Sequence, residues 1–79
     1  MPASNDPHAA LQRQAFGLRL RSLREERGLS QETFANAARV HRTYLSSVER
    51  GQRNVSLDII MRLADALDLP AAQLFEGLQ

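Results

Sequence analysis

Leu29-Ser-Gln-Glu-Thr-Phe-Ala-Asn-Ala-Ala-Arg-Val-His-Arg-Thr-Tyr-Leu-Ser-Ser-Val-Glu-Arg-Gly51 reads as a short helix, a tight turn and a second short helix. Ser30 is placed to cap the first of these, and Leu29 with Phe34 has the spacing of a hydrophobic staple across that cap. Phe34, Ala35 and Ala38 form its inner stripe. The turn is Arg39-Val40-His41, with Val40 directed at the core and His41 serving as a turn residue or helix cap. The next helix runs from about Arg42 to Glu49, with Leu45 and Val48 inward, and Gly51 stops it. Its outer face is then Arg42, Thr43, Ser46, Ser47 and Arg50. Short hydroxyls and arginines on an exposed helix offer little to catalysis. They suit DNA, where arginine bonds guanine edges and phosphates and small side chains fit close to the groove floor.

Working upstream, Asp6-Pro7 is a helix start, with aspartate as cap and proline in the first turn. Phe16, Leu20, Leu23 and Arg27 then recur at helical spacing, Gly17 interrupts locally, and Gly28 ends the helix. Residues 1–6 are expected to be a disordered tail. Downstream of a polar loop, Gln52-Arg53-Asn54-Val55, Ser56 caps a fourth helix whose Leu57, Ile60, Leu63, Ala64 and Leu67 are amphipathic. Pro70 opens a short fifth helix carrying Leu74, Phe75 and Leu78. Three large apolar residues at the end of so small a domain exceed what it can bury, so this stripe is partly core and partly a dimer surface. No alternating β pattern occurs. The expected architecture is all-α, five helices over residues 7–79, ending in a dimerisation helix.

Seventy-nine residues allow one domain. The absence of cysteine excludes disulfides and thiolate metal sites, and two distant histidines, His8 and His41, make no metal site. No apolar run approaches the ~20 residues of a membrane span, and the N-terminus lacks the layout of a signal peptide; the expected location is the cytoplasm. The net charge is +1, but unevenly laid out. Residues 1–29 carry five arginines against Asp6, Glu25 and Glu26, and residues 30–54 carry four against Glu32 and Glu49. Residues 55–79 carry Arg62 alone against Asp58, Asp65, Asp68 and Glu76. A basic two-thirds and an acidic end suit a module with one anion-facing side.

Gly28-Leu-Ser-Gln-Glu, Ala35, Val40, Leu45-Ser46 and Glu49-Arg50-Gly51 together resemble the phage-repressor helix-turn-helix family (Cro/repressor-like, or XRE), with its lambda-repressor-like fold. The runs Arg42-Thr-Tyr-Leu-Ser and Glu49-Arg-Gly-Gln-Arg-Asn54 are similar in particular to the controller proteins of restriction–modification systems. The resemblance covers residues 14 to 78 and implies a role for each matching position. Gln31 would bond a phosphate through its side chain and the free N–H at its helix start. Arg42 and Thr43 would reach base edges, as would Ser46 or Ser47 one turn later. Tyr44 would lie against the sugar–phosphate backbone, although half-buried packing explains it equally. Arg50, Arg53 and Asn54 would hold the backbone beyond the groove. Arg24 and Glu49 would form a partly buried, structural ion pair.

Two positions depart from the family pattern. Arg39 stands where glycine or asparagine is common, a place suited to a left-handed backbone, and Pro70 replaces the usual serine or threonine cap. The leading functional expectation is a homodimeric, sequence-specific transcriptional regulator on a pseudo-palindromic operator in double-stranded DNA. It needs no cofactor, metal, membrane or small-molecule effector. The alternative is an antitoxin-type interaction module with secondary DNA binding. An enzyme is disfavoured: no carboxylate pair, phosphate loop or activated nucleophile stands at a recognisable spacing.

Overall fold

The computed structural model describes residues 6–78. Four α-helices follow one another, α1 (Pro7–Glu26), α2 (Gln31–Ala38), α3 (Arg42–Glu49) and α4 (Leu57–Leu67), and a 3₁₀ helix (Ala71–Phe75) closes the chain. There is no strand among the described residues. Each α-helix starts on a side chain that accepts from its first turn: Asp6 from the His8 N–H, Ser30 from Thr33, His41 from Thr43 and Ser56 from Ile59. Asp6 is therefore ordered as the α1 cap. The expected disorder of the other tail residues, 1–5, lies outside the described residues.

The four α-helices also end alike. Gly28, Arg39, Gly51 and Asp68 each take a left-handed backbone, with φ of 67°, 61°, 76° and 56°. The residue after each donates its N–H to the carbonyl five positions back: Leu29 to Arg24 at 3.2 Å, Val40 to Ala35 at 3.0 Å, Gln52 to Ser47 at 2.9 Å and Leu69 to Ala64 at 3.0 Å. This closure satisfies carbonyls that a helix end otherwise leaves open. The turn of the helix-turn-helix is thus built on a left-handed Arg39, as its family position suggests.

The expected fifth α-helix is a 3₁₀ helix. Pro70 supplies no side-chain cap, and Gly77 turns left-handed seven positions on (φ 85°). The short segment between them closes i→i+3 bonds, such as Gln73 N–H to the Pro70 carbonyl at 3.0 Å, in place of an α ladder.

Phe34, Leu20, Leu45, Leu63, Leu67, Leu74 and Val48 form the fully buried centre. Arginines stitch the periphery to backbone carbonyls: Arg27 Nε reaches Leu67 at 2.6 Å, Arg19 Nε reaches Gln73 at 2.9 Å, and Arg62 Nη1 reaches Arg39 at 3.3 Å. α1 crosses the end of α3 at Gly17, backbone against backbone, and Gly51 in turn meets the α1 backbone at Gln14. Leu57 breaks the expected α4 pattern. It lies in the first turn, points away from the core and is 69% exposed.

Candidate nucleic-acid interface

α3 is held at both ends. At its start the His41 ring accepts from the Thr43 N–H through Nδ1 at 3.0 Å. At its end the Glu49 carboxylate receives Arg24 twice, Nε to Oε2 at 2.7 Å and Nη2 to Oε1 at 3.0 Å. Gln31 Nε2 donates to the same Oε1 at 3.0 Å, and Arg24 Nη1 donates to the Leu29 carbonyl at 2.8 Å. One buried carboxylate therefore ties α1, α2 and α3 together. The hydrogen bond from Glu49 raises the Arg24 pKa above its ordinary value, against burial, which lowers it. With every polar atom of the group bonded, the pair fixes geometry where a lone buried charge would break it.

The face of α3 turned to solvent carries Arg42, Thr43 and Arg50, with Ser46 half-buried between them. Arg42 has no side-chain partner among the described residues and is free to reach a ligand. Arg50 donates through Nη1 to the Ser46 hydroxyl, and through Nη2 and Nε to Gln52 Oε1 at 3.2 and 3.4 Å. Arg53 lies with its guanidinium carbon 5.5 Å from the centre of the Tyr44 ring and donates through Nε to the Ser47 hydroxyl at 3.0 Å. Asn54 is exposed beside it. Arg42, Arg50, Arg53 and Asn54 thus stand on one helix and the loop leaving it, a layout that offers planar donors to phosphates and base edges.

Ser47 does not belong to the outer face on which the sequence pattern puts it. It is 6% exposed, and its hydroxyl donates to the Tyr44 carbonyl at 2.6 Å. It neighbours Val48 and Glu49 on the inward half of the helix, where a serine commonly back-bonds to the preceding turn. Gln31 likewise spends its amide N–H inward on Glu49, leaving its carbonyl oxygen and the N–H groups of the α2 start facing out. Tyr44 is half-buried, packed against the core on one side and carrying Arg53 on the other.

The expected dimer residues divide. Leu74 is fully buried at 0% exposure, so it is core, because the 3₁₀ turn rolls it under α4. Leu78 is half-buried, and Phe75, 43% exposed, packs its ring 5.5 Å from that of Phe16. The apolar surface that pattern reading missed is on α4, where Leu57 and Met61, one turn apart, are 69% and 44% exposed. No helix among the described residues is long and apolar enough to cross a membrane.

A helix-turn-helix domain family matches residues 15–76. The chain is 42% identical over 65 residues to the control protein C.MunI of a Mycoplasma species, covering 81% of this chain and 88% of that protein. It is also similar to the crystal structure of the restriction–modification controller protein C.AhdI from Aeromonas hydrophila. That match has 55% identity, covers 78% of this chain and 94% of the other, and has a TM-score of 0.78. The chain belongs to the helix-turn-helix family of restriction–modification controller proteins. Another controller protein of known structure, C.Esp1396I, was crystallised as a tetramer with its natural 35-base-pair operator. It is 26% identical to this chain, covers 82% of it with 86% of its own length, and superposes with a TM-score of 0.75. For this controller-family chain, the correspondence places the α2–α3 unit and the loop after Gly51 inside the matched region, together with the Arg24–Glu49 clamp.

Proposed function

We propose that this protein is a sequence-specific DNA-binding transcriptional regulator that acts as a homodimer on a pseudo-palindromic operator. As a controller protein it would act on genes linked to a restriction–modification system in the cytoplasm, without catalytic activity of its own. The observation that carries this reading is the exposed face of α3, rigidly seated by Glu49 and presenting an unpartnered Arg42 beside Arg50, Arg53 and Asn54. Arg42, Thr43 and Ser46 would face base edges; Gln31, Tyr44, Arg50, Arg53 and Asn54 would face phosphates. Support for the homodimer comes from Leu57, Met61 and Phe75, which leave apolar surface open on an 8.8 kDa chain. A two-fold pair would set its two recognition helices about 34 Å apart, one helical turn of DNA.

Fluorescence anisotropy with a fluorescent duplex, titrated at several salt concentrations, tests the reading. The expected affinity falls linearly with salt on logarithmic axes, because arginine–phosphate contacts release counterions. A flat response overturns it.

A further inference from the structure

We infer that Ser47 is a positioning residue for Arg53: it aims the arginine at the DNA backbone and reads no base itself. This rests on the DNA-binding reading above and refines it. The Ser47 proton is committed to the Tyr44 carbonyl at 2.6 Å, so the oxygen turns a lone pair to Arg53 Nε at 3.0 Å. At 6% exposure the hydroxyl is out of reach of a groove floor unless α3 itself moves. Arg53 is exposed, yet it is held at two points, by Ser47 at Nε and by the Tyr44 ring 5.5 Å from its guanidinium carbon. Both terminal nitrogens are left without a protein partner among the described residues.

A free arginine on a loop samples many rotamers and loses them on meeting a phosphate. Here the loss is taken during folding, by groups that do not compete for the terminal nitrogens. Arg50, the neighbouring cation, is arranged differently. Its Nη1 and Nη2 are both occupied, by Ser46 and Gln52, and must be released before they can meet DNA. Arg53 is therefore the loop's prearranged backbone contact, and Ser47 arranges it.

The test is a double-mutant cycle of Ser47→Ala and Arg53→Ala, measured by anisotropy on two duplexes. One is the sequence the wild-type protein selects from a random pool; the other is unrelated. Thermal melts of each variant run alongside. Ser47→Ala should weaken binding to both duplexes by about three- to tenfold, the size of one hydrogen bond to a charged group. It should leave the selected sequence unchanged and add nothing in the Arg53→Ala background. Should Ser47→Ala melt appreciably lower, Ser47→Cys keeps the volume while removing the strong acceptor and carries the same comparison. A shifted base preference overturns the inference in favour of direct reading. An undiminished loss in the Arg53→Ala background, or no loss at all, overturns it too. Failure of the wild-type protein to bind either duplex defeats the DNA-binding reading instead, so the two failures stay distinct.

Discussion

Gly17 and Glu49 meet backbone to backbone: a Cβ built on Gly17 would stand 2.5 Å from the Glu49 carbonyl oxygen, and as close to that of Val48. Neither oxygen can yield without unwinding the last turn of α3. Propensity alone says that Gly→Ala inside a helix stabilises by about 1 kcal/mol. The crossing reverses the sign. Gly17→Ala should destabilise by about 2 kcal/mol or more, lowering the melting temperature by roughly 10 °C in a domain of this size. Calorimetry checks it, and a raised melting temperature would refute the crossing.

Glu49 carries three hydrogen bonds from two helices and is buried, whereas Glu25 meets Arg21 at 3.2 Å on the open surface of α1. Glu49→Ala leaves Arg24 buried without its partner and should cost about 3–5 kcal/mol. Glu25→Ala should change stability by less than about 0.5 kcal/mol. Urea denaturation compares them directly; similar losses for both would remove the special role given to Glu49.

Arg39 is left-handed with φ 61°, and its side chain is exposed. A β-carbon there is strained by about 1–2 kcal/mol, partly offset by glycine's greater freedom in the unfolded chain. Arg39→Gly should therefore stabilise by about 0.5–1 kcal/mol in the same denaturation experiment. Destabilisation would mean that the arginine side chain does more for the turn than its exposure suggests.

Under the proposed function, Arg42→Ala should relax base preference in a binding-site selection. Arg53→Ala should weaken all sequences alike and reduce the salt slope by about one. The reverse pattern would exchange the roles of the two arginines.

Leu74 and Met61 separate fold from assembly. Leu74→Ala opens a cavity in the core and should cost about 2–5 kcal/mol. Met61→Glu, on a 44% exposed side chain, should leave the melt nearly unchanged for the monomer while shifting the species to half the mass in sedimentation. An unaltered mass would place the dimer contact elsewhere.

Much of this was readable in the residues, because capping and stapling are local. Ser30, Ser56 and Gly28 act within one turn of themselves, and Phe34, Leu45 and Val48 follow a period that needs no partner. What stayed hidden depends on elements far apart in sequence. Gly17 looked like a weak point in a helix, since nothing in its neighbours tells that α3 crosses there. Ser47 fell on the solvent side of an idealised wheel, but α3 is only eight residues long. On so short a helix, contacts at both ends decide which residues lie inward. Leu74 and Leu57 exchanged places with expectation for a related reason. A 3₁₀ turn has three residues per turn, not 3.6, and a first-turn leucine can face outward when the preceding loop does not cover it.

The common closure at Gly28, Arg39, Gly51 and Asp68 has a consequence for how the chain tolerates insertions and deletions. Each helix stops at one designated residue, not where its apolar contacts happen to run out. α3 lies between two such stops, Arg39 and Gly51, so its two turns have a set length. An extra residue placed between Gln52 and Val55 lengthens a surface loop and is absorbed there. The same residue placed inside 39–41 or 42–49 has no slack to take it up, and rotates everything beyond it by about a hundred degrees on the helix axis. Length variation among proteins built this way should therefore gather after Gly51 and spare the unit before it.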